Sequence, residues 1–112
     1  MWGYYRISNT QPYLPVAQSN LGDCYHTKYK EDKNIEIYRN AEKLYKESIK
    51  NYIEFYFKYS GQQPYIEVPI INLVNLYYEE EKFEEAYNLI YKYSNLLPRD
   101  SDYYMLIGNC IY

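Results

Sequence analysis

The chain has 112 residues, and its 47% hydrophobic fraction includes 19 tyrosines, so a core must be built largely from amphipathic rings. Twelve basic against fifteen acidic side chains give a net charge of −3, which argues against nucleic-acid binding, since that needs a concentrated basic face. No stretch approaches the roughly 18 uninterrupted apolar residues that could span a bilayer, so no membrane partner is expected. The opening MWGYYRISN lacks a basic flank followed by an apolar run, and only two cysteines and no Asn-x-Ser/Thr sequon are present. Those features predict no signal peptide and a cytoplasmic or other reducing intracellular compartment.

Residues 1–14 read as an N-terminal extension, and Pro12 and Pro15 precede the first predicted helix, VAQSNLGDCYHTKYK. On that helix Val16, Ser19/Asn20, Asp23/Cys24 and Thr27 share one surface, and Leu21 and Tyr25 another. The polar EDKN breaks it, with Asn34 as N-cap of a second helix. From Ile35 to about Tyr59, apolar residues recur at Ile37/Tyr38, Ala41, Leu44/Tyr45, Ser48/Ile49, Tyr52/Ile53 and Tyr56, which is helical spacing for about seven turns. Gly61 and Pro64 end it.

Pro69 suits the first turn of a third helix running through Ile70, Leu73, Val74, Leu76, Tyr77 and Tyr78. After the charged EEEK, FEEAYNLIYKYSNLL predicts a fourth helix ending before Pro98, and SDYYMLIGNCIY a fifth, capped by Asp100 or Ser101. No segment alternates with period two for long, and no Asn-Gly or Asp-Gly turn occurs. The expected class is all-α.

A repeat runs through these helices. Leu21-Gly22-Asp23-Cys24-Tyr25 recurs as Leu73-Val74-Asn75-Leu76-Tyr77, 52 residues on, and as Ile107-Gly108-Asn109-Cys110-Ile111, 34 residues further. A 34-residue period with two helices per unit resembles the tetratricopeptide repeat (TPR), whose pattern is W-x2-L-G-x2-Y…A-x3-F…P. In residues 67–100, Ile70, Leu73, Val74, Tyr77, Ala86, Ile90 and Pro98 take the pattern's places in order. A longer unit at about 15–60 matches through Leu21, Gly22, Tyr25, Ala41 and Tyr45, and a partial unit at 101–112 through Tyr104, Ile107 and Gly108. The resemblance implies an α-α superhelix of about five helices in antiparallel pairs over residues 15–112. Gly22, Ala41, Ala86 and Gly108 allow backbones to approach, and Leu21, Leu73, Tyr25, Tyr77, Tyr45 and Ile90 fill the space between them. Cys24 and Cys110, at equivalent repeat places, are expected as small buried thiols.

The same resemblance implies a non-catalytic scaffold or adaptor that binds a peptide or amphipathic helix in a groove lined by the first helix of each pair. Carried over residue by residue, the groove takes Val16, Ser19, Asp23 and His26, then Val68, Ile71, Asn75, Tyr78 and Glu79, then Asp102, Met105, Asn109 and Tyr112. The lysine places of the chaperone-tail clamp seen in some members hold Ser19 and Ile71, so a neutral or mildly basic apolar segment fits better than an acidic chain terminus. The last helix has little polar face, and Tyr104, Met105, Ile111 and Tyr112 are expected to be covered by another chain or a second copy. Self-association through that helix is the alternative reading, and a nucleic-acid-binding helical repeat a more remote one.

Catalytic and cofactor chemistry find no pattern. His26 and Cys24, two apart on a helix, point to different sides, and a lone histidine with two distant cysteines makes no zinc site. Glu79, Glu80, Glu81, Glu84 and Glu85 lack the spacing and turn glycine of a calcium loop and read as a solvated turn followed by acids favourable at a helix start. No enzyme activity, cofactor or metal is expected.

Overall fold

The computed structural model describes residues 13–59 and 66–97. These form α1 (Tyr13–Asp32), α2 (Ile35–Tyr59), α3 (Glu67–Glu79) and α4 (Phe83–Lys92), followed by a 3-10 turn at Ser94–Leu96. No strand occurs among the described residues. The predicted fifth helix, with Tyr104, Met105, Asn109, Ile111 and Tyr112, and the break at Gly61 and Pro64 lie outside them.

Local signals set the boundaries. The Asn34 side-chain oxygen accepts the Glu36 N–H at 2.8 Å, as expected of the N-cap of α2. Lys33, the residue after α1, and Glu81, two residues after α3, are both left-handed with φ of 55° and 60°. Lys33 N–H returns to the Tyr29 carbonyl, while Glu81 N–H bonds Tyr78 and Lys82 N–H bonds Tyr77, closing orphan carbonyls without glycine. The fourth helix stops at Lys92, earlier than the apolar pattern predicts, and tightens into the 3-10 turn. Leu97 is already extended (φ −102°, ψ 139°), the conformation that a following proline imposes.

Hydrogen bonds fix how the helices run. α1 and α2 are antiparallel, joined by Ser48 Oγ to the Pro15 carbonyl at 2.6 Å, Asn51 to Gln18 at 2.7 Å and Tyr45 to Asp23 at 2.6 Å. α2 and α3 are antiparallel too, with Tyr77 donating to Glu42 at 2.5 Å and the Lys82 ammonium 4.7 Å from the Tyr38 ring centre. α1 and α3 touch while running the same way: Asp23 meets Asn72, His26 meets Glu79, and Tyr29 meets Glu80.

The core is that of α2, α3 and α4. α2 buries Tyr38, Ala41, Tyr45, Ser48, Ile49 and Tyr52 along the expected stripe. α3 buries Ile70, Leu73, Val74, Leu76 and Tyr77, and α4 adds Ala86 and Ile90. Each fully buried Leu or Ile contributes about 1.5–3 kcal/mol relative to exposure. Ala41 and Ala86 are completely buried, as close packing requires. Gly22 is needed for the same reason: a Cβ there would stand 2.9 Å from two ring carbons of Tyr45.

α1 departs from expectation. Its buried stripe is Pro15, Ser19, Gly22, His26 and Tyr29, spaced four, three, four and three residues apart. Leu21, expected in the core, is 48% exposed, and Cys24, expected as a buried thiol, is exposed as well. Tyr25 is only half-buried, at the margin of the core. His26 and Tyr29 are buried there because Tyr45 of α2, Glu79 of α3 and Glu80 give them hydrogen-bond partners, whereas the Ser19 hydroxyl is buried without one.

Candidate functional site

α3 has two clearly different sides. Val68 and Tyr78 are exposed and Ile71 and Asn75 half-buried, at spacings of three, four and three residues, opposite the stripe that fills the core. These four residues share one accessible helix face. Glu79 lies at its end, turned toward α1. Its carboxylate receives His26 Nε2 at 2.8 Å and the Lys30 ammonium at 3.6 Å.

Asp23 and His26 belong to the seam between α1 and α3 rather than to an open groove. Tyr45 donates its hydroxyl proton to Asp23, which also accepts the Asn72 amide at 3.0 Å. His26 is buried, with Nδ1 3.1 Å from the same Tyr45 hydroxyl. A carboxylate only accepts, so the bond between His26 and Glu79 is donated by Nε2–H. Further along, Tyr29 donates to Glu80 at 2.6 Å, and Lys33 approaches Glu80 at 3.7 Å. The seam is a chain of satisfied polar groups that sets the register of α1 against α3.

The electrostatics follow from these partners. The bond to Glu80, with burial second, pushes the Tyr29 hydroxyl up to about 12. Burial, then the bond to Asp23, pushes Tyr45 far above the ordinary tyrosine value, and burial with the Glu42 bond does the same to Tyr77. Burial alone would raise the Glu42 carboxyl, but hydrogen bonds from Tyr77 and Lys46 outweigh it and hold the group below the usual glutamate value.

Of the groove residues expected on α1, only Val16 is exposed; Ser19 is 2% exposed. Val16, Ser19 and Val68 nonetheless meet around a cavity of about 290 Å³, which Asn20 and Tyr52 also line. Sequence reasoning missed Asn72, Tyr45 and Glu80 as seam residues, because their roles depend on which helices become neighbours. Among the described residues, no three His, Cys, Asp or Glu side chains cluster so as to hold a metal ion, and no helix is long and apolar enough to cross a membrane. No protein-family model matches this chain, and comparison with curated proteins and with solved structures gives no significant match.

Proposed function

We propose that this chain is a non-catalytic, TPR-like interaction scaffold that binds a peptide or amphipathic helix of a partner protein along the open face of α3. The observation that carries the reading is that face itself: Val68, Ile71, Asn75 and Tyr78 lie in helical register with no other described element burying them as a set. The helix arrangement supports it. α1 and α3 lie side by side in parallel, and the pairs Asp23–Asn72 and Tyr29–Glu80 are offset by close to the 52 residues that separate the first two copies of the repeat. The first helices of two antiparallel pairs would stand in this relation in a superhelix. A face of alternating aliphatic, amide and aromatic side chains suits the apolar side of an amphipathic helix, which docks through anchors three and four residues apart.

The test uses peptides selected against the wild-type chain from a displayed random library. Ile71→Asp and Tyr78→Ala should each weaken the selected peptides at least about tenfold, the loss of one anchor. Circular dichroism should show unchanged helicity. Peptides that bind both variants as tightly as wild type would show that the α3 face is not the docking surface.

A further inference from the structure

A second surface lies on α2. Arg39, Lys43, Lys46 and Lys50 are all exposed, at spacings of four, three and four residues. On a helix of about 3.6 residues per turn they fall within about 60° of its circumference and along about 16 Å of its length. This basic row lies on the side of α2 away from its buried stripe and shares no residue with the α3 face.

The chain leaves the row largely uncompensated. Lys46 is bridged to Glu42 at 3.2 Å, and Glu42 also accepts the Tyr77 hydroxyl. Arg39, Lys43 and Lys50 have no ion pair, side-chain hydrogen bond or ring contact among the described residues. Arg39 with Lys43, and Lys46 with Lys50, are like charges four residues apart, a spacing that destabilises a helix. Lys43 precedes Glu47, and Lys50 precedes Glu54, by four residues. That is the poorer order for such a pair, and neither bridge forms. An anionic partner from outside the chain would relieve this repulsion.

Charge complementarity and the shape of the row identify the occupant. Glu36, Glu47 and Glu54 form an acidic row about 60° round the helix from the basic one. A broad polyanion, such as a nucleic-acid duplex or an anionic lipid surface, would press negative charge on both rows, and like-charge juxtaposition is costly. A helix with acids at the same four-three-four spacing presents a single negative line, which meets the cations and avoids the glutamates. We propose that the α2 row docks a helix of a partner protein through a matching row of Asp or Glu side chains. The inference is independent of the scaffold reading, because α3 contributes nothing to this row.

The experiment titrates two alanine-rich helical peptides of one composition into the full chain and follows the amide NMR signals of Arg39, Lys43, Lys46 and Lys50. One peptide carries four glutamates in an aligned four-three-four row; the other spreads them round the helix. At about 20 mM salt the aligned peptide should bind at least about fivefold more tightly than the spread one. Raising the salt to about 200 mM should weaken it at least about fivefold, because exposed ion pairs are screened. The double substitution Lys43→Gln and Lys50→Gln should remove the preference, with helicity unchanged by circular dichroism, and Ile71→Asp should leave it intact. Should the double variant unfold, the ratio of the two peptides on the wild-type chain decides. Equal binding of the two peptides, or a preference that survives the double substitution, would overturn the proposal. Loss of binding in Ile71→Asp would also overturn it, by moving the acidic peptide to the α3 face. So would a short single-stranded oligothymidylate that binds more tightly than the aligned peptide at the same salt, which would assign the row to phosphate. Failure here leaves the α3 face untouched, because the Ile71 and Tyr78 variants test it with other peptides.

Discussion

Gly22→Ala should destabilise the protein by about 1–2 kcal/mol, although the same change in an open stretch of helix would stabilise it by about 1 kcal/mol. The sign turns on Tyr45. An added Cβ would lie 2.9 Å from both Cδ1 and Cε1 of that ring, well inside van der Waals contact. The ring cannot swing away at little cost: it is fully buried, and its hydroxyl is held by Asp23 at 2.6 Å and His26 at 3.1 Å. Forcing a methyl into such packing costs about 1–3 kcal/mol, and stretching the seam's hydrogen bonds adds to it. Subtracting the helix-propensity gain leaves the net loss. The assay is thermal and urea denaturation followed by circular dichroism, with an expected drop of about 4–8 °C for each kcal/mol. A double variant completes the argument: with Tyr45→Leu in place, the alanine should cost much less, because the ring that it strikes is gone. An unchanged or raised melting temperature for Gly22→Ala in the wild-type background would refute the close approach of α1 and α2 at this point.

Three further outcomes follow from the structure. Glu81→Gly should stabilise the protein by about 0.5–1 kcal/mol, because Glu81, two residues past α3, is in a left-handed conformation that glycine adopts without strain; a urea midpoint at or below wild type would contradict this. Glu42 is held below its ordinary value, so it contributes stability above about pH 4.5 that is lost as pH falls through the folded value. Glu42→Gln should therefore cost about 1 kcal/mol at neutral pH, with the gap to wild type closing in acid, and a gap independent of pH would sink the assignment. Tyr29 is raised to about 12, and Tyr38, Tyr45 and Tyr77 are raised as well. Their contribution is complete below about pH 10 and is lost as pH rises, for Tyr29 through about 12. Tyrosinate absorbance should accordingly lag and rise together with the loss of helicity; ionisation of all 19 tyrosines before any helix is lost would exclude it.

The boundaries of α2 and the buried stripes of α2 and α3 were legible from the chain alone, whereas the face Val68, Ile71, Asn75 and Tyr78 was expected only from the repeat resemblance. In those helices the apolar spacing is local, and Asn34 and Pro69 punctuate it. α1 was not legible in this way. Its most hydrophobic exposed position, Leu21, faces solvent, while Ser19, Gly22 and His26 go inside. A hydropathy pattern ranks side chains by their transfer from water, and a buried polar stripe is stable only when particular partners receive it. Those partners, Tyr45 from α2 and Glu79 from α3, stand 19 and 53 residues away from His26.

The sequence by itself therefore determined the all-helical character of the described residues and the places of α2 and α3, because both follow from spacing within one segment. Only the tertiary structure decided that α1 runs parallel to α3, that the seam between them is polar, and that Ser19 is buried without a hydrogen-bond partner. Each of these depends on two or three helices meeting, and the local pattern of a single helix holds no record of its neighbours.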